Sequence, residues 1–154
     1  MGTETPRPGI IIRAAQNRDV PAIYAIGAAC FSDPWREETV RSDLAREGAL
    51  YLVAEREDEV LGYACYWYVL DEAQLVNIGV MPRARRQGIA ESLVRKGLVQ
   101  AKAKGMTSMY LEVRVSNLPA QSLYRKFGFA VKALRKQVYE DPLEDGYIMA
   151  IGDL

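Results

Sequence analysis

The chain has 154 residues, enough for one domain with a core of its own. Its 20 Lys and Arg residues balance 20 Asp and Glu residues, so the charge does not suggest a general nucleic-acid binder. It contains no histidine. That excludes histidine triads, histidine metal sites and a histidine general base, and leaves carboxylates, tyrosine, lysine, cysteine and backbone donors for chemistry.

Residues 1–9 are polar and rich in Pro and Gly, and are expected as a loose tail before a single domain over residues 10–154. The N-terminus lacks the apolar core of a signal peptide, and Pro6 stands where a myristoylation signal has Ser or Thr. Ile10–Arg13 reads as a first strand. Asp19 is placed to cap a helix carrying Ile23, Ile26 and Cys30 on one face, and a second short helix carries Val40 and Leu44. Residues 50–54, 60–69 and 73–80 read as three strands joined by short turns at Glu57–Glu59 and Asp71–Glu72, an antiparallel meander.

The period then changes to 3.6, giving a helix over Gly88–Lys104 with Gly105 as its stop. Residues 108–115 form a strand. Asn117 caps a further helix with Ala120, Leu123, Tyr124 and Phe127 on one stripe, and residues 129–139 and 146–151 close the chain as paired strands. The order β-α-α-β-β-β-α-β-α-β-β implies an α+β or mixed-sheet domain. No apolar stretch is long enough to span a membrane. Cys30 and Cys65 lack metal-site spacing and lie in apolar surroundings, so both are expected as buried thiols in a reducing cytoplasm. No metal and no direct nucleic-acid or membrane partner is expected.

The strand ending Asn77-Ile78-Gly79-Val80 runs through Met81-Pro82 into Arg83-Ala84-Arg85-Arg86-Gln87-Gly88-Ile89-Ala90 and a helix. A helix start offers unpaired N–H groups and the positive end of the dipole. Gly88 and Ala90 allow an anion close approach, and Arg85 and Arg86 add charge. The segment has neither the ending of a Walker loop nor the glycine spacing of a dinucleotide fingerprint. On its own it is equally a solvated helix start.

Arg85-Arg86-Gln87-Gly88-Ile89-Ala90 resembles the cofactor motif of the GNAT acetyltransferase superfamily, Gln/Arg-x-x-Gly-x-Gly/Ala. Asn117-Leu118-Pro119-Ala120-Gln121-Ser122-Leu123-Tyr124 resembles the family's helical follow-on. The runs Phe31–Trp35, Val69–Ala73, Tyr110–Asn117 and Glu144–Met149 resemble those bacterial members that acetylate the N-terminal alanine of a ribosomal protein. The likeness spans about residues 10–151. It implies the GNAT fold: a central mixed, mostly antiparallel twisted sheet of about seven strands, flanked by about four helices and splayed into a V-shaped cleft. It also implies acetyl-CoA as co-substrate and a protein N-terminus as acceptor.

The same resemblance implies roles for single residues. Ile78, Gly79 and Val80 would face the pantetheine and thioester, with Gly79 suited to a bulge or a close ligand approach. Arg85 to Ala90 and Glu91 would hold the pyrophosphate, and Asn117 would add a bond to the cofactor. Glu112 lies mid-strand between Leu111 and Val113; it would be the general base, and the alternative is a sheet-face glutamate paired with a basic residue. Tyr124 would be the general acid, against core packing as the alternative. Trp35 and Tyr139 would line the acceptor groove from two loops, with Trp35 equally placed as a core staple. The family's usual pair of tyrosines is here Val138-Tyr139. A small-amine acceptor, other protein N-termini and a non-catalytic acetyl-CoA-binding module remain as alternatives.

Overall fold

The computed structural model describes residues 9–154, so the expected tail lies outside the described residues except for Gly9. The elements are β1 (Ile11–Ala14), α1 (Val20–Cys30), α2 (Glu37–Leu44), β2 (Ala49–Arg56), β3 (Glu59–Val69), β4 (Glu72–Val80), α3 (Ile89–Ala103), β5 (Ser108–Arg114), α4 (Leu118–Lys126), β6 (Ala130–Tyr139) and β7 (Glu144–Ile151). Short 3-10 turns occupy Asn17–Asp19 and Pro82–Ala84. The order matches the one expected from periodicity.

The strands form one seven-stranded sheet in the order β1-β2-β3-β4-β5-β7-β6. Every neighbouring pair is antiparallel except β4 and β5. Side chains alternate between faces, so the central strands β2, β3 and β4 feed two cores. Tyr51, Val53, Tyr63 and Cys65 pack under α1 and α2 with Ile23, Ile26 and Val40. Leu52, Leu61, Tyr66, Leu75, Leu111 and Met149 pack on the other face with Leu93 and Val94 of α3 and Tyr124 of α4.

Two local expectations are corrected. Asp19 stands at the start of α1, but its side chain makes no bond to that helix. It accepts from Gln16 N at 2.7 Å and from both terminal nitrogens of Arg13, at 2.8 and 2.9 Å. An arginine already present on β1 outcompetes the helix N–H groups. Cys65 lies inside β3 and is fully buried, whereas Cys30 is the last residue of α1 and is only half-buried. By contrast Asn117 caps α4 as expected, its Oδ1 accepting from Ala120 N at 3.2 Å.

The bulge falls at Val76, not at Gly79. β3 and β4 pair Cys65 with Asn77 and Tyr66 with Leu75, leaving Val76 as the extra residue. Gly79 is small for a packing reason: a Cβ there would lie 3.1 Å from Ile26 Cγ2 and 3.2 Å from Tyr63 Cε1.

Helix α3 is held at close range by Tyr66. Its hydroxyl donates to Leu93 O at 2.8 Å, inside the helix. A Cβ on Gly97 would stand 2.0 Å from Tyr66 Cζ, so only glycine fits. The start of α3 is tied to the end of α4 by Glu91, which is 3% exposed. Its carboxylate accepts from Arg95 Nη2 at 2.9 Å and Lys126 Nζ at 3.0 Å. Burial alone would push this carboxyl up, but the Lys126 and Arg95 bonds outweigh it and hold it below its ordinary value.

Two outcomes follow for stability. Gly97→Ala is expected to cost about 3 kcal/mol, the upper range for overpacking, read from the urea midpoint. Lys126→Met leaves Glu91 with one partner and is expected to cost about 1–2 kcal/mol at pH 7. A carboxyl with a depressed folded pKa adds stability above its unfolded value and loses it as pH falls through the folded one. The Lys126→Met deficit should therefore shrink in acid, and a deficit as large at about pH 3 as at pH 7 would contradict the pairing.

Candidate active site

β4 and β5 pair only over Glu72–Leu75 and Ser108–Leu111. Beyond Leu75 and Leu111 the two strands part, and the sheet opens into a V between them. Met81 N donates to Leu61 O, which makes Leu61–Met81 a hydrogen-bonded pair. By antiparallel alternation Tyr63–Gly79 is the next such pair, and Gly62–Val80 and Ala64–Ile78 are not. The N–H groups of Ile78 and Val80 therefore point away from β3, into the opening.

Directly after β4 the chain makes the basic turn and enters α3. Arg86 (φ 63°) and Gly88 (φ 76°) both take left-handed backbone, and Gly88 is the N-cap with no side-chain cap. The N–H groups of residues 86–91 have no acceptor among the described residues. The turn and the first three residues of α3 thus present six donors at the positive end of a 15-residue helix, an arrangement that can hold an anion. The side chains nearby have partners of their own. Gln87 Oε1 accepts from Arg56 Nη1 at 2.9 Å, and Arg85 Nη2 lies 3.6 Å from Cys30 Sγ. Ile89 is buried in the core, Ala90 is half-buried, and the Glu91 carboxylate points at α4. Glu91 can therefore meet a ligand only through its N–H. The Arg56–Gln87 bond was not legible in the sequence, since the partners lie 31 positions apart.

Glu112 lies on β5 between Leu111 and Val113, whose side chains enter the α3/α4 core, so its own side chain takes the α1/α2 face. Its Oε2 accepts from Arg135 Nη1 of β6 at 3.1 Å. The basic partner raised as the alternative for this glutamate is thus present. Tyr124 is 6% exposed on α4 and packs edge-on to Phe129, with ring centroids 5.9 Å apart. Burial, reinforced by nearby Tyr139, pushes its phenol well above the ordinary value, and its hydroxyl makes no hydrogen bond among the described residues. Packing and a protonated, unengaged hydroxyl coexist at this residue. Asn117 begins the same helix, whose Gln121 anchors it to the end of β5 through Val115 O at 2.9 Å.

Tyr139 ends β6 as a strand residue and not in a loop. Burial and the charge of Glu112 push its phenol up to about 12. Arg114 lies 4.5 Å over its ring. Gly146 of β7 makes this crowding possible: a Cβ there would be 2.9 Å from Tyr139 Cε2, 2.9 Å from Val138 Cγ2 and 3.3 Å from Glu112 Cγ. Trp35 stacks on Trp67 of β3, with centroids 6.2 Å apart, and both line a cavity of about 570 Å³ with Asp43 and Arg46. Burial alone would raise the Asp43 carboxyl, but Trp67, Tyr51 and Arg46 all donate to it and hold it low. Trp35 is thus packed onto the sheet through Trp67 while one side of it borders the cavity. The segments that follow α1 and β6 meet, with Ser32 Oγ donating to Asp141 O at 2.6 Å.

The Acetyltransferase (GNAT) family profile matches residues 20–129. A Bacillus subtilis protein provisionally assigned as a [ribosomal protein bS18]-alanine N-acetyltransferase is 39% identical over 139 residues, 90% of this chain and 92% of that one. The [ribosomal protein bS18]-alanine N-acetyltransferase of Escherichia coli K12 is 34% identical over 144 residues, 91% of this chain and 95% of the other. The crystal structure of the ribosomal-protein-S18-alanine N-acetyltransferase from Escherichia coli superposes with a TM-score of 0.87 over 94% of each chain, at 33% identity. The seven-stranded sheet with its single parallel pair, the open V and the anion-ready helix start are therefore those of the GNAT fold, and this chain belongs to the GNAT acetyltransferase family as an N-acetyltransferase.

Proposed function

We propose that this enzyme transfers the acetyl group of acetyl-CoA to the N-terminal α-amine of a protein, with the N-terminal alanine of ribosomal protein bS18 as acceptor. The acceptor rests on the activity named for the relatives. The observation that carries the reading is the open V, with free β4 donors on one arm and Glu112 on the other. The turn at residues 86–91 holds the pyrophosphate, and Asn117 adds a bond to the cofactor. This lays the pantetheine along Ile78, Gly79 and Val80.

A free α-amine has a pKa near 7.7–8.0, so about a fifth is uncharged near neutral pH and a modest base suffices. Glu112, directly or through water, takes the proton from the amine as its nitrogen attacks the thioester carbonyl. The Val80 N–H stabilises the resulting oxyanion. The C–S bond then breaks, and Tyr124 gives its proton to the departing thiolate. Burial keeps the Tyr124 phenol protonated throughout the physiological range, as a proton donor requires. Trp35 and Tyr139 flank the path by which the acceptor reaches Glu112.

The direct test is thiol release and mass-spectrometric site mapping with acetyl-CoA and a peptide library that includes the bS18 N-terminus. Acetylation at the α-amine of alanine-initiated peptides is expected. Release stimulated by free polyamines and not by any peptide would overturn the acceptor, and no release with any amine would indicate a binding module. Tyr124→Phe is expected to lower kcat by about 100-fold or more while changing the acetyl-CoA Kd less than about twofold. Equal turnover in variant and parent would remove Tyr124 from the acid role.

A further inference from the structure

We infer that Asn77, held by Tyr63, is an acceptor-binding residue that donates to the main-chain carbonyl of the acceptor's first residue and so selects N-terminal α-amines over simple amines. The inference rests on the reading of Glu112 as the group that meets the amine.

The bulge is the first observation. Gln74 pairs with Tyr110 and Leu75 with Leu111. In a regular strand the residue two beyond Leu75 would share its face, in the core beneath α3. The extra residue at Val76 breaks that alternation. Val76 packs with the α1/α2 cluster, and Asn77 stands opposite Cys65, which belongs to the same cluster. Asn77 is thereby turned onto the face that carries Glu112. It is also the first residue after the bulge, as Glu112 is the first residue of β5 after its last pair with β4. The two lie at the same level on opposite arms of the V.

The second observation is how the amide is fixed. The Tyr63 hydroxyl donates to Asn77 Oδ1 at 2.5 Å. Tyr63 is 3% exposed, and its ring is fitted closely by glycines: a Cβ on Gly79 would lie 3.2 Å from its Cε1 and one on Gly27 3.5 Å from its hydroxyl. With the oxygen engaged, the Asn77 amide keeps both N–H donors, and neither has an acceptor among the described residues. Tyr63's phenol is pushed up by burial, so it donates at any physiological pH.

One arm of the mouth therefore offers donors and the other a carboxylate that only accepts. The complementary ligand has an amine next to a carbonyl: its nitrogen goes to Glu112 and its oxygen to Asn77. An α-aminoacyl chain end has that pattern, and an alkylamine or polyamine does not. A site built to bond a group discriminates against the analogue lacking it.

The test compares the parent with Asn77→Ala and Tyr63→Phe on two acceptors: an alanine-initiated peptide, and the same peptide with its first carbonyl reduced to methylene. Acetyl-CoA affinity is measured alongside by calorimetry. Asn77→Ala is expected to lower kcat/KM for the normal peptide about tenfold to thirtyfold, mainly through KM. On the reduced peptide it should change kcat/KM less than about twofold, with acetyl-CoA affinity unchanged. Tyr63→Phe should act in the same direction but less. Equal loss on both peptides would make Asn77 merely structural, and no loss on either would overturn the inference outright. A parent that acetylates no peptide while still binding acetyl-CoA would strike the proposed acceptor class, and this inference with it.

Discussion

The pairing between β4 and β5 lasts four residues on each strand and then stops, and the rest of the molecule is organised around that break. Parallel strands that part expose N–H and C=O groups at the centre of a domain, where unpaired groups are costly. The bulge at Val76 marks the place where β4 turns from its neighbour. Each arm is then secured by a different partner. β4 is fixed by β3 and by α1, whose Ile26 and Cys30 crowd Gly79. β5 is fixed by β7 along Met109–Arg114, and its far end is anchored to α4 through Gln121. Each side of the V is thus held by its own neighbours, although both arms share the core beneath α3 and α4.

The charged groups near the opening follow a common logic. A carboxylate buried in the first turn of α3 would repel an anion at the same helix start, so Glu91 stands between Arg95 and Lys126. Arg95 also lies over Phe127, which draws the end of α4 against α3. The same contacts therefore neutralise Glu91 and set the position of α4, two residues past Tyr124. On the other arm Glu112 faces Arg135, whose side chain is 57% exposed. An exposed pair of this kind contributes little stability and is readily exchanged for another cation.

Much of this was legible in the sequence wherever a short-range rule decided the outcome. Periodicity and turn residues gave the element order, the Asn117 cap and the helix start at Gly88. What was missed depends on partners distant in the chain. Asp19 had the right residue type for a cap, but Arg13 claims it. Gly79 read as the bulge because glycine in a strand suggests one, whereas Val76 bulges and Gly79 yields room to Ile26 and Tyr63. Cys30 looked as buried as Cys65, and the difference comes from where α1 ends. The pairings Glu112–Arg135, Glu91–Lys126 and Trp35–Trp67 span 23, 35 and 32 positions, and no local pattern announces them.

The turn at residues 86–91 carries a consequence for the entropy of association. Left-handed backbone at a non-glycine residue such as Arg86 costs on the order of 1 kcal/mol or more. Here it is imposed by folding, through the 3-10 turn before it, the Arg56–Gln87 bond beside it and the buried Ile89 after it. The donors are thus already ordered before an anion arrives, and little loop freedom remains to be lost at that moment. An anion received there would meet a rigid surface, so its affinity would depend chiefly on charge and fit and hardly on a conformational search.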